Sequence, residues 1–248
     1  MNEQGKMNHQ NTVIALILVA GLIISSLILG GSVVRIKSGA DKIIVTGSAK
    51  QEITSDLIVW TGSFSAKSPI LQEAYAKLEL DRKRVKEYLV AQGVPAGKIV
   101  FSSINTYPNY VILPNGQYTS EIDYYDLNQT VTISSEEIDK ITEVSRNVTE
   151  LINEGIQFQS NSPQYMYTKI ADLKVTMLAE ATKDAKKRAE MITENAGSSL
   201  GKLKYADMGV IQITPRYSNE VSDYGMNDTY SLEKEITAIV HCEFEIEK

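Results

Sequence analysis

The sequence is poor in the residues that most often carry chemistry. It has a single cysteine, Cys242, among 248 residues. That excludes an intramolecular disulfide and any zinc site built on two or more thiolates. Its two histidines are His9, near the N-terminus, and His241, far down the chain, so a site needing several imidazoles is not expected. Positive charge is also in the minority, with 25 Lys and Arg against 31 Asp and Glu and a net charge of −6. A general nucleic-acid binder needs excess Lys and Arg to displace counterions from phosphates, so no nucleic-acid partner is expected. Phosphate-binding loops, dinucleotide fingerprints, G-x-S-x-G elbows and H-E-x-x-H motifs are all missing. No catalytic residue, cofactor or metal ligand is therefore assigned. Asp56, Asp123, Asp126 and Glu154 are scattered carboxylates, and His241 lacks the nucleophile context of a triad.

What is present begins with an uninterrupted apolar run, TVIALILVAGLIISSLILGGSVV, at residues 12–34. A helix needs about 20 apolar residues to cross a bilayer, and this run is long enough. A cleaved signal peptide has a shorter apolar core of about 7–15 residues and a small-x-small cleavage site. Gly30-Gly31-Ser32 is the only weak candidate here. The expected organisation is a tail at 1–11, a transmembrane signal anchor at 12–34, a linker at 35–42 and a folded domain at 43–248. Charge counting, with Lys6 on one side and Arg35, Lys37 and Lys42 on the other, leans if anything towards a cytoplasmic C-terminal domain, whereas a short tail before an apolar run resembles an export signal, so charge alone does not fix orientation.

The folded part alternates strand and helix signals. IIVTGSA (43–49) and DLIVWTGSFSAKS (56–68) are rich in β-branched residues, and their close spacing predicts a hairpin. Ser68 and Pro69 mark a helix start. Ile70, Ala74, Leu78, Val85 and Leu89 recur at helical spacing up to Gly93. A strand is expected from Lys98, ended by Pro108, with a turn at PNGQ (114–117) and a return strand near 121–134. On that strand Tyr125, Leu127, Val131 and Ile133 share one face, with Gln129 as the polar exception. Ser134 and Glu137 fit a capping box for a helix over 135–153, striped by Ile138, Ile141, Val148 and Ile152 and ended at Gly155. A strand follows in GIQFQSNSPQYMYT.

The third helix begins near Ile170 and contains LAEATKDAKKRAEMITENAG (178–197). Its stripe is Ile170, Leu173, Met177, Ala181, Ala185, Ala189, Ile192 and Ala196. Asp184–Arg188 and Lys186–Glu190 stand at the supportive four-residue spacing, so the charged side is a solvated face. Small alanines let a helix lie close on a sheet. KLKYADMGVIQIT is read as a strand, 215–231 as a Tyr-, Asn- and Asp-rich loop, and 236–246 as a final strand that turns Cys242 inward and His241 outward. The order predicts an α+β fold with helices on a largely antiparallel sheet.

Tyrosine is the compositional oddity, with 13 copies. Tyr107, Tyr110, Tyr118 and Tyr124 gather around one hairpin, and Tyr217, Tyr224 and Tyr230 along the late loop. Tyrosine buries contact area at little entropic cost, so these seven are candidate protein-contact residues. Ordinary hairpin packing is the alternative.

Taken together, IIVTGSAKQEITSDLIVWTGSF, LDRKRVKEYLVAQGVPAGKIVFSSINTYPNY, LNQTVTI, DAKKRAEMITENAGSSLGKL and ITAIVHCEFEI resemble the SIMPL-domain family over roughly 42–247. These motifs are structural, and the resemblance brings no active site with it. It implies an exported or envelope-associated domain, a tendency to form large oligomers, and a link to stress defence. The expectation is a single-pass cell-membrane protein with its C-terminal domain extracytoplasmic. It would be non-enzymatic and would act by homo-oligomeric assembly or contact with another envelope protein. Two alternatives remain: a small-molecule or stress-signal binding module, and a carboxylate-based hydrolase acting on envelope polymers.

Overall fold

The computed structural model describes residues 16, 18–28 and 41–247. The tail at 1–11, most of the expected anchor at 12–34, and linker residues 35–40 lie outside the described residues. Residues 18–28 are helical (α1) and all exposed. Among the described residues, no helix is long and apolar enough to cross a membrane.

The remaining elements are β1 (Lys42–Thr54), β2 (Leu57–Ser68), α2 (Leu71–Ala91), β3 (Ile99–Phe101), β4 (Asn105–Ile112), β5 (Tyr118–Ser135), α3 (Ile138–Asn147), β6 (Gln157–Ser160), β7 (Gln164–Met166), α4 (Ile170–Asn195), β8 (Ser199–Met208), β9 (Gln212–Pro215) and β10 (Glu233–Glu247). This is the expected α+β class. The chain forms two compact units, each assembled from separated stretches. One takes the chain through Ala49, Leu178–Gly209 and the chain from Ile239 onward, and the other Lys50–Met177 with Val210–Ala238.

In the larger unit β5 and β2 pair antiparallel from Ile58 opposite Ser135 to Ser68 opposite Tyr125. The sheet order is β3-β5-β2-β6, with β4 also on β5 and β7 also on β2. The period of two predicted for β5 is realised, and β2 shares it. Ile58, Trp60, Phe64, Leu127, Val131 and Ile133 are buried, together with Ala74, Leu78, Val85 and Leu89 of α2. The phenyl ring of Phe64 stacks on Phe158 and meets Phe101 edge-on. Fully burying each large side chain contributes about 1.5–3 kcal/mol, so this cluster anchors the unit.

In the smaller unit the alanine-rich stretch is the wall the sequence suggested. Ala181, Ala185 and Ala189 of α4 are fully buried. Gly47 of β1 lies so close beneath them that a methyl group there would collide with the Ala181 carbonyl oxygen and Ala185. The charged face bears Arg188–Asp184 at 2.8 Å and Lys186–Glu190 at 3.5 Å. Asp184 also accepts a 2.9 Å hydrogen bond from Ser48 N.

Several local expectations are corrected. β1 and β2 form no hairpin, because they belong to different sheets. A tight two-residue hairpin wants positive φ in its loop, and neither Ser55 nor Asp56 has it. Their backbone N–H groups instead donate to Leu232 O and Met166 O. Pro108 does not end its strand. It sits inside β4 opposite Tyr125, on a strand that among the described residues pairs only with β5, so that an N–H on the side away from β5 is dispensable. Ser68 does not cap α2, since its Oγ accepts from Ile70 N ahead of the helix. The Ser134–Glu137 capping box is not formed. Ser134 remains in β5, and Ser135 Oγ accepts from Glu137 N. The second helix is shorter than 135–153, because Val148–Glu154 is 3-10. Ile152 and Ile192 are exposed, and Leu151 and Thr193 take the buried positions.

Candidate functional site

Three features of the larger unit stand out, and they differ in chemistry. The first is the outer half of the β4–β5 ribbon. Pairing runs from Asn105 opposite Asn128 to Ile112 opposite Tyr118, with irregular register at Tyr110. The turn forms at the predicted PNGQ, where Gly116 takes φ +83° and Leu113 N donates to Gln117 O. Tyr107, Tyr110, Ile112, Leu113, Tyr118 and Ile122 are all exposed. Tyr124 is half-buried, and its ring lies 5.4 Å from Lys67 Nζ.

The second feature is the loop from Arg216 to Ser231. Tyr217, Tyr224 and Tyr230 are exposed, Tyr224 at 97%. Tyr217 has a left-handed backbone with φ 66°, and the Arg216 guanidinium lies 4.8 Å from its ring. The seven tyrosines singled out in the sequence thus fall on two separate segments, six exposed and Tyr124 half-covered.

The third feature is a cleft of about 240 Å³. Tyr165, Met166 and Tyr167, Ile170 and Lys174 at the start of α4, Ile211 and Ile213, residues 226–229, and Lys234 of β10 line it. Lys234 is only 2% exposed. Its ammonium donates a 2.5 Å hydrogen bond to Tyr165 O, and no Asp or Glu among the described residues forms an ion pair with it. Burial holds its pKa below the ordinary lysine value, and Asp228 offsets part of that. Sequence reasoning missed this residue, although a signal existed: Lys234 shares parity with Ile236, Ala238 and Val240, so alternation alone places it inside.

The scattered carboxylates are held in separate settings. Asp56 accepts from Thr168 N at 2.7 Å and Thr168 Oγ1 at 2.8 Å. Burial alone would raise its pKa, but these bonds outweigh it and keep the carboxyl below its usual value. Asp126 pairs with Lys67 at 3.4 Å, and Asp123 is exposed on the outer part of β5. Glu154, at the end of the 3-10 turn, is exposed. Asp81 is the unexpected one. It is 2% exposed on the inner stripe of α2, Oδ2 has no partner among the described residues, and burial raises its pKa against the pull of Lys77 and Arg84. Cys242 is buried with its thiol pKa pushed up, while His241 is exposed and 3.0 Å from Thr46 Oγ1. No group of three or more His, Cys, Asp or Glu that could hold a metal occurs among the described residues.

These elements define an α+β protein with helices packed on antiparallel sheets and side surfaces rich in tyrosine. The chain belongs to the SIMPL family, described as a protein of unknown function (DUF541), whose match covers residues 43–244. No curated protein matches the chain.

Proposed function

We propose that this SIMPL protein is held in the cell membrane by its N-terminal apolar segment. Its folded domain lies outside the cytoplasm and works without catalysis, by associating with further copies of itself or with another envelope protein. The observation that carries the reading is the outer β4–β5 ribbon. A two-stranded ribbon is marginal by itself in water, and a monomer seldom exposes a contiguous large apolar patch. Tyr110 stands opposite Ile122 and Ile112 opposite Tyr118, all four exposed, with Tyr107 and Leu113 exposed on the same ribbon, and a second copy of the ribbon or a like surface would cover them. Many copies on one membrane face would let weak individual contacts add up.

The anchor is supported by the composition of 12–34 and by α1, where Leu18, Leu22, Ile24, Leu27 and Ile28 are exposed on all sides. Lipid satisfies such a surface and water does not. The topology is tested by fusing after Lys248 an enzyme reporter that folds only outside the cytoplasm. Activity in whole cells, with the chain retained in the membrane fraction, is the expected result. An inactive reporter, or a chain found free of membranes, would overturn it.

A further inference from the structure

We infer that the Lys234 cleft is a binding site for a small organic carboxylate, with the acid head on the lysine ammonium and an apolar tail along the cleft wall. The inference is independent of the assembly reading, which concerns a different surface. An ammonium carries three donors, and Lys234 uses one of them on Tyr165 O. The residue is only 2% exposed yet borders an open cleft, and among the described residues its ammonium has no second acceptor, which leaves donors for an occupant. Burying a charge without a partner is costly, and a bound anion would remove that cost.

The neighbours select the same chemistry. Lys174 borders the cleft and forms no ion pair among the described residues, adding a second positive charge. Asp228 is the only carboxylate in the lining. Its oxygens are already engaged by Tyr230 N at 2.8 Å and Ser231 N at 3.3 Å. Ile170, Ile211, Ile213 and Met226 form the apolar wall. This combination of a few polar groups at one end of an apolar slot is how small-ligand sites fix orientation. The cleft is smaller than the usual drug-sized pocket of about 300–1,000 Å³, which limits the occupant to a compact acid.

The test is equilibrium dialysis of the full chain in nonionic detergent micelles, with empty micelles as blank, using benzoate and its neutral analogue benzamide. Benzoate is expected to bind at millimolar or tighter concentration, and benzamide about tenfold more weakly or worse. Lys234→Met, its fold checked by circular dichroism, is expected to lose about tenfold or more of the benzoate affinity, and Lys174→Met about two- to threefold. Met226→Trp keeps both lysines and fills the slot, so it is expected to abolish benzoate binding even if Lys234→Met fails to fold. The proposal is overturned by no benzoate binding at about 10 mM, by equal binding of benzoate and benzamide, or by a folded Lys234→Met or Met226→Trp that binds as the wild type does.

Discussion

The two halves of β5 both carry large side chains, at odd positions from Tyr125 to Ile133 and at even positions from Tyr118 to Tyr124, with a register shift between them, and they meet different fates. From Leu127 to Ile133 every second residue is buried, because α2 packs over that face. From Tyr118 to Asp123 the strand pairs with β4 alone, and Ile122 and Tyr118 are exposed. The sequence shows the switch of parity at Tyr124–Tyr125 but not which half is covered, since both halves carry large side chains. What separates them is cover supplied by other parts of the chain. An apolar stripe that the protein covers is core, and one it leaves open is a surface for something else.

The largest effect comes from setting one charge into each half. Leu127→Asp buries an unpaired carboxylate and is expected to cost about 3–5 kcal/mol, enough to unfold the larger unit in a thermal melt. Ile122→Asp on the same strand is expected to leave the stability of the single, unassembled chain within about 0.5 kcal/mol of wild type. Equal losses at the two sites would break the comparison.

Next comes the smaller unit, where cover depends on close approach. Gly47→Val places a branched side chain against Ala181 and Ala185 and is expected to cost about 1–3 kcal/mol or more, read as a lowered denaturant midpoint. An unchanged midpoint would mean that α4 does not depend on that contact.

Asp81 is the flaw in the cover over the inner half. Asp81→Leu is expected to stabilise by about 1–2 kcal/mol at neutral pH, since a buried acceptor without a partner is removed. The sign with pH follows from its raised pKa. The folded state holds this proton more tightly than the unfolded chain does. Wild-type stability from this group is therefore fully present below the ordinary value of 3.8, and is lost as pH rises through the folded value. The advantage of Asp81→Leu is thus expected to shrink in acid. A gap that widens in acid would reverse the assignment.

The smallest effect is at the start of β2. Asp56→Asn weakens the bonds to Thr168 and is expected to cost about 0.5–1 kcal/mol. Its carboxyl pKa is lowered on folding, so this stability is present above the unfolded value and lost as pH falls through the folded one. A wild-type advantage that persists at the lowest pH would contradict the carboxylate's role.

Much of this fold was legible in the sequence because alternation and helical spacing report burial directly. The inward faces of β2, β5 and β10 and the alanine wall of α4 all follow from period alone. Gln129 is also where alternation put it, buried at 3% with Nε2 donating to Ser102 O. Failures arose where long-range partners decide. The Ser55-Asp56 step reads as a turn by spacing, yet its hydrogen bonds to Leu232 and Met166 are invisible locally. Asp81 and Lys234 stand at core positions of their stripes, and counting only apolar residues passes over both. The cleft itself joins residues near 165, 170, 211, 226 and 234, which no local pattern connects. The tyrosines were visible by composition, but exposure was not: Tyr118 stands open, while Tyr124 is half-covered with Lys67 beside its ring.

The most direct test of assembly through the open ribbon is the mass of the full chain in nonionic detergent, by size exclusion with light scattering. It is compared with a Tyr110→Ser, Tyr118→Ser, Ile122→Ser triple variant of equal melting temperature. The account predicts a discrete oligomer for the wild type and a monomer for the variant. A monomeric wild type, or an oligomer of the same mass in both, would contradict it.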